Sequence, residues 1–303
     1  MRARILTLAA ALFLLASAPW VGSLVAGQQP VQDSRPFKSG VELISITATV
    51  SDAEGHLVTG LPREAFDIFE DGEKQTVAEF TNERVPVGLG LLLDVSDSMY
   101  GKRIKDARAA VDRFLFDLLD ESDEFFVFAF NHKPRPLTSW TRAQDEVRQA
   151  LAAVQPSGGT AIYDTILESL PLMAKRSKQR AAILVISDGA DTASNASMRD
   201  IRSALLRSDA FVYAIAIDSP ERQAINTHVN VGALRDLTAE SGGRTEVVRN
   251  SEDLSDATAR IAEELNSQYV LGYYSTHPVD GRFHSIRVRA TGYRVNARHG
   301  YIR

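Results

Sequence analysis

The 303-residue chain is long enough for two ordinary domains or one large one, and 44% hydrophobic with 24% charged residues it has the balance of a globular protein. Its net charge of −5 argues against general nucleic-acid binding. The absence of any Cys excludes disulfides, thiolate metal sites and thiol nucleophiles.

Residues 1–27 have the pattern of a secretory signal: Arg2 and Arg4, an apolar run from Ile5 to Ala16, then small residues up to Val25-Ala26-Gly27, where cleavage is expected. The run is short for a membrane span, and no Cys follows it to carry a lipid. An exported protein, periplasmic or secreted, is therefore expected. Removing the leader takes away two Arg and leaves 32 basic against 39 acidic residues, a net charge of −7. No later segment is apolar for long enough to cross a membrane.

Residues 28–40 are polar and rich in Pro and Gln, and read as a linker. From Val41 to residue 84 the alternation of strands takes over. Ile44, Ile46, Ala48 and Val50 share one face, with Ser45, Thr47 and Thr49 on the other. Asp52-Ala53-Glu54-Gly55 is a turn, and Glu70-Asp71-Gly72 signals a hairpin. A strand-like stretch from Val77 to Phe80 follows. This N-terminal β unit has too few strands to be stable alone.

From residue 85 the period changes. Leu89–Leu93, Phe125–Phe130, Ala181–Ile186 and Phe211–Ile217 are unbroken apolar runs, as in strands of a parallel sheet covered on both faces. Between them, Ala107, Val111, Phe114, Leu115 and Leu118 make one helical stripe. Further helical patterns cover about 142–154, 161–175, 197–208 and 252–266. Strand and helix in alternation predict a doubly wound, mostly parallel α/β domain over 85–267. In the tail, 268–303, alternation returns at Tyr269, Leu271 and Tyr273. After a Pro278-Val279-Asp280-Gly281 turn, Ile286, Val288 and Ala290 alternate with Arg287 and Arg289. These strands are expected to pack with residues 41–84, completing one small β module from two ends of the chain.

The first buried strand runs into Asp94-Val95-Ser96-Asp97-Ser98-Met99. A carboxylate and two hydroxyls at alternate positions of a strand-end loop can converge as hard oxygen ligands for Mg²⁺, with Mn²⁺ or Ca²⁺ as alternatives. Asp and Ser in such a loop are also preferred helix caps, so this stretch alone leaves both roles open. Two more loops change the balance. Ser187-Asp188-Gly189 ends another buried strand, and Gly158-Gly159-Thr160 offers a hydroxyl just before a helix. Ligands of open α/β sheets collect beyond the carboxyl ends of the strands.

DVSDSM, GGTAIYD and SDG, in this order and spacing, resemble the metal-ion-dependent adhesion site of von Willebrand factor A domains. The resemblance implies that Ser96, Ser98 and Thr160 coordinate a divalent ion through their hydroxyls. It implies Asp94 and Asp188 as ligands directly or through water. It also implies a free coordination position that takes an acidic side chain from a protein partner. VSDAEGHLVTGL, FDIFEDGEKQTVAEF and YVLGYYSTHPVDGRFHSIRVRA look like the flanks of the bacterial VWFA-related domain proteins, which pair the A domain with short β flanks behind a signal peptide.

The expected function is adhesion or protein–protein interaction in the cell envelope. A metal-stabilised scaffold and a Mg²⁺-dependent hydrolase are the alternatives. No enzyme is expected: an aspartyl phosphatase would need Asp where Ser96 stands, and no Gly-x-Ser-x-Gly elbow, His-Glu-x-x-His or phosphate loop occurs. Gly88-Leu89-Gly90 begins a dinucleotide-like fingerprint but lies within a strand. Tyr100, Asn131, His132 and Asp191 are expected around the rim of the site as partner contacts. The six His show no ligand spacing. His284, with His299, is read as lying on an exposed sheet face, and so are the tail arginines 282, 287, 289, 294, 298 and 303.

Overall fold

The computed structural model describes residues 42–189, 191–218 and 230–303. The expected leader (1–27) and linker (28–40) lie outside them. In chain order, β1 (Glu42–Ser51), β2 (Phe66–Glu70), β3 (Glu73–Gln75) and β4 (Glu79–Thr81) come first. Next are β5 (Val87–Asp94), α1 (Lys102–Arg113), β6 (Glu124–Phe130), β7 (Pro134–Pro136), α2 (Gln144–Ala152) and α3 (Ile162–Met173). They are followed by β8 (Arg180–Ser187), α4 (Met198–Leu206), β9 (Phe211–Ile217), α5 (Val231–Ser241) and β10 (Thr245–Val248). The chain ends with α6 (Ser251–Asn266), β11 (Tyr269–Ser275), β12 (Phe283–Ala290), β13 (Arg294–Ala297) and β14 (Gly300–Ile302).

The central sheet has the order β10-β9-β8-β5-β6-β7 and is parallel except for β7 at one edge. This is a doubly wound α/β fold. The four apolar runs named from the sequence are its four inner strands, and every residue of each is buried. Such strands show no alternation because helices cover both faces. One core holds Leu89, Leu91 and Leu93 against Ala107 and Val111 of the first helix, Phe114 just after it, and Ala257 and Ile261 of the last. The other holds Leu92, Ile183 and Val185 against Ile162, Ile166, Ile201 and Leu234.

Two details of this sheet escape the sequence reading. The helix α5 and the strand β10 have no counterpart in the expected elements. The buried positions of α5 are Leu234, Leu237, Thr238 and Ser241, so half of its inner stripe is polar and the apolar period is masked. Gly90, weighed as part of a nucleotide fingerprint, serves packing. A Cβ there would stand 2.6 Å from Cζ of the Phe126 ring, so glycine is what lets that ring approach β5.

The flanks form two four-stranded antiparallel sheets, β13-β1-β11-β4 and β14-β12-β2-β3. β11 sits between β1 and β4, with Ile46 opposite Leu271 and Phe80 opposite the same Leu271. β12 pairs with β2, Val288 opposite Ile68. Between the sheets Ile44, Ile46, Ile68, Leu271, Tyr273 and Ile286 make a third core. Thr49, on the outer face of β1, is also buried, because its hydroxyl donates to Glu264 of α6 at 3.2 Å. In the β2–β3 turn, Asp71 (φ 48) and Gly72 (φ 88) both take positive φ, as a two-residue hairpin of this twist requires.

The exposed-face reading of the tail is corrected at three residues. His284 shares the parity of Ile286 and is buried, with its ring stacked on His277 and not on His299. The Arg303 side chain is only 6% exposed and pairs with Glu42. Arg298 is half-buried, and desolvation lowers its pKa. Arg287, Arg289 and Arg294 do face solvent.

Among the described residues no helix is long and apolar enough to cross a membrane. We propose that the N- and C-terminal flanks fold as one module, each needing the other. Deleting residues 268–303 removes the strand between β1 and β4. The expected outcome is rapid tryptic cleavage within 42–81, read by mass spectrometry. A fragment pattern matching the intact chain would refute it.

Candidate functional site

β5 and β8 are neighbours, in register from Val87 and Arg180 to Leu93 and Ile186. Their next residues reach the same edge of the sheet. The chain winds outward from β5 to β6 on one side and from β8 to β9 on the other, so this edge is the switch point where α/β sheets open a crevice. Asp94 and Asp188 stand there, fully buried and 4% exposed respectively.

Three loops close around the pair, held by main-chain bonds. Asp97 N–H donates to Gly158 O (2.9 Å) and Ser157 N–H to Val95 O (2.8 Å), tying the first loop to the second. Thr192 N–H and Ala193 N–H donate to Thr160 O, while Thr160 N–H donates to Thr192 Oγ1 at 2.9 Å. Gly158 makes the second loop possible: it has φ 76, and a Cβ would come within 2.9 Å of His132 Nδ1.

Within the site, Ser96 N–H donates to Asp94 Oδ1 (2.8 Å) and Ser187 Oγ donates to Asp94 Oδ2 (2.6 Å). The Ser96 and Ser98 hydroxyls lie 3.1 Å apart. Ser96 and Thr160 are buried, Ser98 half-buried and Asp97 exposed. The five residues singled out in the sequence therefore belong to three loops at one strand-end edge, and Asp97 turns away from them. The helix-cap alternative has no support in the geometry: the residue before α1 is Gly101, and no side chain caps that helix.

Two participants were not visible in the sequence reading. Ser187, besides donating to Asp94, accepts from Gly189 N–H at 2.9 Å, so it fixes the loop after β8 to the Asp94 carboxylate. Arg103, buried on α1, places Nη1 3.2 Å from Asp188 Oδ2 and 3.3 Å from Ser98 O. Arg103 lies four residues before Ala107 on the inward stripe of its helix, and that spacing was the available signal.

The donor set fits a hard divalent cation. Asp188 Oδ1 is buried and has no hydrogen-bond partner among the described residues. A buried carboxylate oxygen left open in this way is uncommon without a ligand to meet it. Beside it stand the Asp94 carboxylate and the hydroxyls, all oxygen donors of the kind Mg²⁺, Mn²⁺ or Ca²⁺ takes.

Around the rim, Tyr100 and His132 are exposed and Asn131 half-buried, its amide donating to Ser157 Oγ. Asp191 has a different task. Its carboxylate accepts from Tyr163 N–H (3.0 Å) and from both the amide and hydroxyl of Ser194, holding the start of α3 in place.

Residues 89–190 match the family model described as von Willebrand factor type A domain. That stretch is similar to a von Willebrand factor type A domain. Inter-alpha-trypsin inhibitor heavy chain H2 of Mus musculus is 24% identical over 211 residues, 64% of this chain and 21% of that protein. The chain thus spans about a fifth of the length of the curated relatives it matches. Among solved structures, the conserved hypothetical protein BatB from Bacteroides thetaiotaomicron superposes with a TM-score of 0.51 at 20% identity, covering 59% of this chain and 98% of that one. A von Willebrand factor type A protein from Catenulispora acidiphila gives 0.52 at 12% identity, over 86% and 71% of the two chains. These likenesses concern the fold.

Desolvation, and then the charge of Asp188, push the Asp94 carboxyl up to about 7 against donation from Ser187 and Ser96. The folded value lies above the roughly 3.9 of an unfolded chain, so the folded state holds this proton more tightly. The stability this brings is full below about pH 4 and is lost as pH rises through about 7. In chelator, the urea midpoint should fall between these limits, and Asp94→Asn should flatten that dependence. Identical pH profiles for the two proteins would refute the assignment.

Arg103→Met strands a buried carboxylate, which typically costs about 3–5 kcal/mol. Chemical denaturation in chelator should show a loss of that order. A change below about 1 kcal/mol would mean that Asp188 does not depend on the guanidinium.

Proposed function

We propose that this chain binds a divalent cation, Mg²⁺ first, through Asp94, Ser96, Ser98, Thr160 and Asp188, and uses it to hold a protein partner that offers a carboxylate. The observation that carries the reading is the pair of buried carboxylates with one oxygen left open, beside hydroxyls that add no charge. Few anionic ligands leave a bound ion electrophilic and ready to take one more oxygen.

Arg103 sharpens the charge balance. Two carboxylates alone would neutralise a divalent ion, but the guanidinium on Asp188 leaves the assembly with about one net positive charge. An acidic group approaching from outside then meets a positive, partly desolvated centre, although the chain as a whole is negative. Tyr100, Asn131 and His132 stand around this centre as contact candidates. The architecture is that of an A domain, whose relatives include inter-alpha-trypsin inhibitor heavy chains, and an interaction protein suits it better than an enzyme. The leader at residues 1–27 would deliver the protein to the cell envelope, as a periplasmic or secreted product.

Calorimetric titration of the purified chain with Mg²⁺ and Mn²⁺ tests the cation. Asp94→Ala and Thr160→Ala should each weaken binding tenfold or more. Capture from envelope extract tests the partner: what is retained should be released by chelator and missing from Asp94→Ala. A partner set indifferent to both changes would overturn metal-bridged recognition, and cation affinity unchanged in Asp94→Ala would overturn the site.

A further inference from the structure

A second group of metal-ligating side chains lies on the flanking sheets, built from residues that the sequence separates by more than 200 positions. β2 ends at Glu70, and Asp71 opens the hairpin turn. Because Ile286 of β12 lies opposite Glu70, the preceding Ser285 and His284 come against Asp71. Asp71 N–H donates to Ser285 O (3.0 Å), while Asp71 Oδ1 accepts from Ser285 N–H (2.8 Å) and Oγ (3.1 Å). That leaves Oδ2 facing His284 Nδ1 at 2.8 Å.

His277 arrives from the connection between β11 and β12. Its ring stacks on His284 with centroids 4.2 Å apart, and its Nε2 lies 3.6 Å from Asp71 Oδ2 and 3.5 Å from Glu70 Oε2. One nitrogen of each imidazole and one oxygen of Asp71 fall within 4.8 Å of each other.

We propose that Asp71, His277 and His284 form a binding site for a transition-metal ion of the Zn²⁺ class, with Glu70 beside it as a fourth donor. Three observations carry this beyond a chance cluster. The first is geometry: bonds of about 2.0 Å to a tetrahedral ion separate ligand atoms by about 3.3 Å, and the spacings of 2.8, 3.5 and 3.6 Å straddle that value. The second is burial: His284 is 6% exposed, and its one hydrogen-bond partner among the described residues is Asp71 Oδ2 on Nδ1, so that nitrogen is turned into the cluster. The third is the outer layer. Glu70 is held by Tyr273 Oη (2.8 Å), Tyr301 Oη (2.7 Å) and Ser275 Oγ (3.2 Å), and Asp71 by Ser285, which is how metal-binding carboxylates are usually oriented.

Two imidazoles with carboxylates select a borderline ion such as Zn²⁺ over Mg²⁺ or Ca²⁺, so this site and the strand-end site would take different metals. The His277 side chain is 37% exposed and gives the ion a way in. The bound ion would fasten the β2–β3 turn to the β11–β12 connection. In a chain without Cys, it is a cross-link of the kind a disulfide would otherwise supply.

The test uses the untagged, metal-stripped full chain, titrated with Zn²⁺ by calorimetry and with Co²⁺ by visible absorption, in excess Mg²⁺. One equivalent of Zn²⁺ is expected to bind, to raise the melting temperature, and to persist in Asp94→Ala. His277→Ala, a half-exposed position that should leave the fold intact by circular dichroism, should weaken it at least tenfold and abolish tetrahedral Co²⁺ bands. His284→Ala should do the same if it folds. The proposal is overturned if no Zn²⁺ equivalent binds, if His277→Ala binds as tightly as wild type, or if the equivalent disappears in Asp94→Ala. Loss of Mg²⁺ binding alone would count only against the strand-end site.

Discussion

Two carboxylates buried side by side at the carboxyl ends of adjacent strands set the terms for this molecule. Asp94 and Asp188 cannot both carry full charge in a dry crevice without something positive to answer them. The protein supplies part of that answer itself. Ser187 and the Ser96 amide donate to Asp94, and Arg103 pairs with one oxygen of Asp188. The other oxygen of Asp188 is left open. The arrangement is costly as a means of stabilising a fold whose central sheet is already covered on both faces by apolar cores. It is economical as a place for a cation.

The loops around this pair show how a rigid scaffold turns into a site. Each is short, and each is tied to its neighbours through main-chain groups, so the ligand residues are positioned by backbone geometry and their side chains stay available. Asp191 illustrates the division of labour. It lies at the same edge, yet its carboxylate is spent on holding α3, the helix that follows the Thr160 loop. A carboxylate near a site and a carboxylate in it are distinguished by which donors it already satisfies.

The flanks are bound to the central domain by a different set of polar contacts. Thr49 of β1 and Tyr213 of β9 both donate to Glu264 of α6, and Gln268 donates to Tyr213 at 2.8 Å. A buried carboxylate thus joins the first flank strand, a core strand of the α/β domain and the last helix. Within the same sandwich, Glu70 collects three hydroxyls beside the His277–His284 stack. Both acids are held by neutral hydroxyls, and Glu264 also pairs with Arg244 at 3.3 Å, so each is fixed by several donors.

What the amino-acid sequence determined by itself is whatever depends on local order. Leu89–Leu93 and its three companion runs announce strands covered on both faces, because no half-exposed strand would be apolar at every position. Asp94, Ser96 and Ser98 announce a shared loop because they are two residues apart. Elements with mixed interiors were illegible: the inner face of α5 is half polar, and β10 is four residues long and mostly half-buried. His284 could have been read correctly from its parity with Ile286, since alternation assigns both to the same face. Its partners could not. Only the tertiary structure brings Asp71 to His277 and Arg103 to Asp188, because those meetings depend on strand register across long connections. A sequence records spacing along the chain, whereas the charge balance of a site depends on distance through space.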